Sequence, residues 1–377
     1  MVGRCAALVV VVLIGAVACA AVAAPKRPPP TLRIADLLLV GFRGTEVEGN
    51  EEVRRLVCHV KVGGVILFER DVASGQPRNL VSPEQIARLT SDLQTLARQC
   101  ARRRLFIATD AEGGQVMRLS TRLGYPPSLS ARELGLSGDV ATTEAEARRI
   151  AVTLREAGVN WNLAPVVDVA VNPQNPAVVA LGRTFSADPQ QVVAHARAFI
   201  QGMHAEGVLT SLKHFPGHGS SLRDSHSGFT DVTETADLDA ELLPYKLLIK
   251  EGLADSVMTA HVFNKGLDPW DPATLSRYTV ARILRGRFDY KGVIVSDDLL
   301  MGAIVKHYGL EEAAAKALNA GVDVLLISGN APKAEVYAAE RVVLAINRAI
   351  GMGLLSRKRV LEAIAHVDAL RARLPSK

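Results

Sequence analysis

The chain has 377 residues, with 44 Lys and Arg against 39 Asp and Glu and a formal net charge of +5. The basic residues are scattered, only Arg102 to Arg104 forming a run, so nothing implies a nucleic-acid partner. A hydrophobic content of 48 % is ordinary for a soluble globular protein and excludes a largely disordered chain.

In chain order, Arg4 precedes the apolar run ALVVVVLIGAVACAAVAA, and PKRPPP comes after it. Residues 1–24 read as a signal peptide, cleaved within Ala18 to Ala24, or else as an uncleaved N-terminal membrane anchor. Cys19 is a weak lipid-attachment candidate, because Ala16 stands where Leu is usual. Residues 25–35 form a Pro-rich linker and 36–377 one domain, long enough for a single α/β barrel. The protein is thus expected to be exported, periplasmic or extracellular, with any membrane attachment through its N-terminus alone.

Eight short apolar runs come next: Leu37 to Gly41, Gly64 to Phe68, Leu105 to Asp110, Asn162 to Val167, Leu209 to His214, Ser256 to His261, Val293 to Asp297 and Val324 to Ser328. Between them lie amphipathic helical patterns, among them Pro83 to Gln99 after a Ser82 cap, Thr143 to Ala157, Pro189 to Ala205 after Asp188, and Leu310 to Ala320. Helices from about Glu335 to Leu374 finish the chain. Strands apolar on both faces and alternating with helices predict a parallel sheet, and eight such units predict a (β/α)8 TIM barrel. Cys58 and Cys100 lie just ahead of the second and third strands, hence at the same end of neighbours. A disulfide and two buried thiols both remain open.

A barrel of this kind gathers reactive groups at the carboxyl ends of its strands. The runs end there in polar residues: Asp110, then Lys213 and His214, His261, and Ser296-Asp297-Asp298. Neighbouring carboxylates on a strand face opposite ways, so Asp297 is expected to be reactive and Asp298 structural, capping the helix after it. In KHFPGHG, Lys213 to Gly219, the charged groups surround a tight turn; SSLRDSH then brings Asp224 and His226. A carboxylate two residues from an imidazole can orient and charge it, making His226 a proton shuttle. His218 is expected to organise its turn, Asp168 to fix its loop, and His261 remains a possible pocket residue.

Four motifs in one order, DAEGG at Asp110, GRTFSADP at Gly182, KHFPGHG with DSH, and VIVSDDLLMGA at Val293, resemble the β-N-acetylhexosaminidases of glycoside hydrolase family 3 over roughly Leu37 to Gly329. The resemblance implies a TIM-barrel enzyme without cofactor or metal, removing terminal β-linked N-acetylglucosamine with retention of configuration. It implies Asp297 as nucleophile, His226 with Asp224 as acid/base, and Asp110, Arg118, Arg183, Lys213 and His214 as sugar ligands. Arg118 is expected on a helix after Asp110. Ala111, where DQEGG is usual, and Gly182, where a polar residue is common, depart from the pattern. A histidine in place of the second carboxylate also departs from most glycosidases. The expected partner is an N-acetylglucosaminide, from peptidoglycan fragments or related sources, and a monomer is the expected state. The alternatives are a phosphorylase, a non-catalytic glycan-binding barrel, and a metal-dependent hydrolase using His214, His218, His261 and Asp297.

Overall fold

The computed structural model describes residues 32–225, 228–331 and 337–375, together with Met1 and Gly3. The leader or anchor over 1–24 and most of the linker, to Thr31, lie outside the described residues, as does His226. Contacts divide the chain at Leu32, and Arg33–Lys377 is the folded body. That body takes in Ile34 and Ala35, both buried, which the sequence placed in the linker. Among the described residues no helix is long and apolar enough to cross a membrane.

Eight parallel strands carry the core: β1 Leu38–Val40, β2 Gly64–Ile66, β3 Phe106–Thr109, β4 Trp161–Asn162, β5 Ser211–Phe215, β6 Ser256–Thr259, β7 Val293–Val295 and β8 Leu325–Ile327. Every one of their residues is buried, as expected for strands covered on both faces. They form two sheets, β8-β1-β2-β3-β4 and β7-β6-β5. At the two seams, among the described residues, there are only isolated parallel bridges, Trp161 to Leu209 and Val166 to Lys213 on one side and Val295 to Val324 on the other.

The described ladders therefore do not form the single closed sheet expected of a barrel, and each seam has a local cause. At the first, Pro165 offers no amide, so β4 is regular for two residues rather than through Val167. The backbones still run together there, with the Ser211 amide donating to the Ala164 carbonyl at 2.9 Å and the Val167 amide to the Lys213 carbonyl at 2.8 Å. At the second, the Ser296 hydroxyl takes the Leu326 amide at 3.0 Å, a donor that a ladder carbonyl would otherwise receive.

Among the described residues, seven long helices surround the strands: α1 Pro83–Ala101, α2 Val140–Glu156, α3 Pro189–Ala205, α4 Leu238–Lys250, α5 Leu310–Ala320, α6 Ala338–Gly351 and α7 Arg357–Ala372. Side-chain caps fix several starts: Ser82 accepts from the Gln85 amide, Asp188 from Gln190, Asp237 from Ala240 and Ser356 from Arg359. Helix α2 begins three residues ahead of its expected start because Asp139 caps the Ala141 and Thr142 amides. Cys58, in the helical turn Arg55–Val60, and Cys100, in the last turn of α1, form a disulfide.

The amino ends of the strands are closed by buried charge. Asp36, Asp255 and Asp323 precede β1, β6 and β8, each 2 % exposed or less. Arg359 and His366 of α7 bind Asp323, and Arg373, just past the helix, binds Asp255.

Candidate active site

Because the strands are parallel, their carboxyl ends share one face, and a pocket of about 410 Å³ opens there. Asp110, Arg118, Arg183, Lys213, His214 and Asp297 all line it. Asp224 is not in that lining.

The chain leaves β7 through Ser296, which is fully buried, and turns so that Asp297 is half-buried at the mouth. The Asp297 amide donates to the Thr259 carbonyl at 3.2 Å, and its Oδ1 accepts the Asp298 amide at 2.8 Å. Asp298 has a different task. Its Oδ1 accepts from the amides of Leu300 at 3.2 Å and Ser328 at 3.0 Å, and its Oδ2 takes the Ser328 hydroxyl. Burial pushes the Asp298 carboxyl above its ordinary pKa, against those hydrogen bonds. It caps a turn and ties the end of β7 to that of β8; the short helix Gly302–Val305 beyond has no side-chain cap.

The pocket floor is a charge network. Lys213 Nζ lies 2.9 Å from Asp110 Oδ1 and 2.6 Å from Glu112 Oε1, and Arg183 sets its guanidinium fork on Glu112 with two contacts of 2.8 Å. Arg183 also donates to the Ala177 carbonyl at 2.9 Å and approaches His214 Nε2 at 3.3 Å. Burial by itself would raise the two carboxyls and lower the two cations. Lys213 and Arg118 nevertheless hold Asp110 below its usual range, and Arg183 with Lys213 holds Glu112 well below. Lys213 and Arg183 are raised in return by their carboxylates. All four groups are therefore charged, and the fixed charges present both donors and acceptors to whatever enters.

Glu112 carries two of these cations, and its place inside DAEGG gave it no expected role. The available signal was spacing: in an extended segment, residues two apart face one way, so Asp110 and Glu112 share a side. Arg183 braces this glutamate, and Asp188 caps α3. Arg118 is on no helix; it comes directly after the short strand Val116–Met117, its amide donates to the Asp110 carbonyl at 3.0 Å, and its guanidinium lies 3.7 Å from Asp110 Oδ2.

Asp168, expected to fix its own loop, instead anchors the KHFPGHG turn. Its Oδ2 meets His214 Nδ1 at 2.7 Å and its Oδ1 accepts the amides of His214 and His218 at 3.1 and 2.9 Å. Burial works against the Asp168 charge, but His214 and the amides keep the carboxyl below its usual range. His261 is buried away from the pocket, between the Thr274 hydroxyl and the Asp298 carbonyl at 2.9 Å each. With both ring nitrogens of His214 and of His261 engaged by protein groups, and His218 facing Ser225, the four residues of the metal-dependent alternative do not converge. Asp224 is half-buried, and His226 beyond it lies outside the described residues.

The description "Glycosyl hydrolase family 3 N terminal domain" matches residues 31–370. The chain belongs to glycosyl hydrolase family 3. Among family relatives, the β-hexosaminidase of Tolumonas auensis is 36 % identical over 297 residues, covering 78 % of this chain and 83 % of its own length. Beta-hexosaminidase A of Pseudoalteromonas piscicida is 32 % identical over 342 residues, 86 % of this chain; the chain spans only 55 % of that protein. The solved family 3 β-N-acetylglucosaminidase of a Paenibacillus strain superposes with a TM-score of 0.82 at 34 % identity, over 90 % of this chain and 62 % of that one.

Proposed function

We propose that this family 3 glycosidase is a retaining, exo-acting β-N-acetylhexosaminidase that releases terminal β-linked N-acetylglucosamine, with peptidoglycan fragments or related N-acetylglucosaminides outside the cytoplasm as substrates. The observation that carries the reading is the pocket-mouth carboxylate of Asp297, above a floor of fixed charges from Asp110, Lys213, Glu112 and Arg183. Asp297 is oriented by the Asp298 amide, and Asp298 is committed elsewhere. Both carboxylates line the pocket, but the oxygens of Asp298 are taken up by Leu300 and Ser328, so that residue serves the fold.

In the first step an Asp297 oxygen bonds to the anomeric carbon as the bond to the aglycone oxygen breaks, and His226, supported by Asp224, gives that oxygen its proton. In the second, water returns a proton to His226, its oxygen bonds to the anomeric carbon, and Asp297 leaves as carboxylate. Two inversions at one carbon give net retention. Asp110, Arg118, Arg183, Lys213 and His214 hold the sugar hydroxyls and acetamido group.

The reading includes closure of the eight strands into a (β/α)8 barrel, supported by the parallel bridges at both seams. It also includes a monomeric state and export, the latter supported by the Cys58–Cys100 disulfide, since such bonds persist in oxidising compartments.

Incubation with the p-nitrophenyl β-glycosides of N-acetylglucosamine and glucose tests substrate and mechanism together. The expected result is strong preference for the former, a loss of at least about a thousandfold in kcat for Asp297→Ala, first-formed product of β configuration, and a 2-fluoro sugar trapped on Asp297. Equal rates on the two glycosides, a label elsewhere, or a product of α configuration would each defeat the assignment. A sugar phosphate formed in phosphate buffer would identify a phosphorylase instead.

A further inference from the structure

Arg78 is a buried guanidinium outside the pocket lining, 2 % exposed, and pairs through Nη1 with Asp71 Oδ2 at 2.7 Å. Its remaining contacts go to the end of β8, Nη1 to Asn330 Oδ1 at 3.2 Å and Nη2 to the Ser328 carbonyl at 3.1 Å. The backbone is shaped to admit them. A Cβ on Gly41, just past β1, would stand 1.8 Å from the Ser328 carbonyl oxygen and 3.3 Å from Nη2, and one on Gly329, at φ +58°, would stand 3.4 Å from the same nitrogen. Ser328 in turn holds Asp298, its amide donating to Oδ1 at 3.0 Å and its hydroxyl to Oδ2, while that hydroxyl accepts the Asn330 amide at 3.0 Å. Asp298 then donates its own amide to Asp297 Oδ1 at 2.8 Å.

We propose that Arg78 is a positioning residue for the reaction, acting through Ser328 to fix Asp298 and, by the Asp298 amide, the direction in which the Asp297 carboxylate points. Taking a guanidinium out of water is costly, and a buried ion pair is a poor source of stability. What the planar fork supplies is a fixed separation, here between Asp71, in the hairpin that Arg70 and Pro77 close after β2, and the end of β8. Asn330 completes the tie, accepting the Val72 amide at 2.9 Å and donating to the Arg70 carbonyl at 3.0 Å. A nucleophile that must meet one carbon in line gains from being held in one direction, and a misplacement of about 1 Å can cost on the order of a hundredfold in rate. The proposed sugar ligands, from Asp110 to His214, pair among themselves and with Glu112 and Asp168, so the effect falls on attack rather than on binding.

The inference rests on the reading of Asp297 as nucleophile, so the test carries Asp297→Ala as a reference. The substrate is 2,4-dinitrophenyl N-acetyl-β-glucosaminide, whose aglycone departs without a proton, so that kcat/KM reports attack by the carboxylate; N-acetylglucosamine as competitive inhibitor reports the sugar ligands through its Ki. Arg78→Met is expected to lower kcat/KM by about a hundredfold and Ser328→Ala by about tenfold, with Ki within about twofold of the parent in both. Arg78→Lys, which keeps the charge beside Asp71, recovers part of the loss, and Arg78→Met with Ser328→Ala loses no more than Arg78→Met alone. Should Arg78→Met fail to fold, Arg78→Lys and Ser328→Ala, which removes one oxygen, carry the same comparison. A kcat/KM within about twofold of the parent in the Arg78 or Ser328 variants, or a Ki that rises in step with the loss, overturns the positioning role alone while Asp297→Ala stays inactive. Turnover by Asp297→Ala at the parent rate overturns the nucleophile and this inference with it.

Discussion

Glu241 is 1 % exposed beneath the turn after β5, and burial raises its pKa to about 7, with the Asp168 charge adding to the effect and Ser220 opposing it. Free glutamate titrates near 4.5. From there to about pH 7 the folded protein keeps a proton that the unfolded chain has released, so this group makes stability fall as pH rises through that window and level off above it. Glu241→Gln, neutral throughout, should match the parent below about pH 4.5 and exceed its stability by about 2–3 kcal/mol above pH 7. Urea unfolding at pH 4, 6 and 8 checks this, and parallel profiles would reject it. Asp297, Lys213 and His214 were legible as pocket residues because they end apolar strands, a local pattern. Glu241 was not, because nothing in ELLPY tells that its carboxyl is buried under a loop twenty-one residues upstream.

Helices were legible where a cap and a proline coincide. Pro189–Ala205 begins where Asp188 and Pro189 predict, whereas α2 begins early on the cap of Asp139, overlooked in a polar stretch. Strand β4 ends early because an apolar run reads alike whether or not a proline interrupts its ladder. The cysteines show the same limit: their place ahead of β2 and β3 predicted proximity but left bridge and thiols both open, and the fold brings them to a Cα separation of 4.8 Å. The bond closes a loop across 42 residues, for which the chain-entropy relation gives about 4 kcal/mol. Reductant, or Cys58→Ser with Cys100→Ser, should lower Tm markedly. An unchanged Tm would show that the bond contributes nothing.

For the molecule as a whole, function and stability occupy opposite ends of the strands. The carboxyl ends hold the pocket; the amino ends hold Asp36, Asp255 and Asp323, the last two neutralised from the C-terminal helix region. Burial opposes the Asp323 charge, yet His366, Arg285 and Arg359 keep its carboxyl below the usual range. Removing one partner leaves buried charge exposed to that cost. Arg359→Met should therefore destabilise by about 3 kcal/mol in urea unfolding while KM stays unchanged, because its contacts lie away from the pocket. A shifted KM would show that the two ends communicate.

The sequence by itself determined the order of the elements, the parallel strands, the end at which reactive groups collect, and the family, since apolar runs, caps and motifs are all local patterns. The tertiary structure alone decided the pairing of Glu112 with Lys213 and Arg183, the commitment of Asp298 to Ser328, the hold of His218 on Ser225, and where the two sheets meet by bridges rather than ladders. Each of these depends on distances of a few ångströms between groups that the fold brings together, and chain order carries no record of such distances.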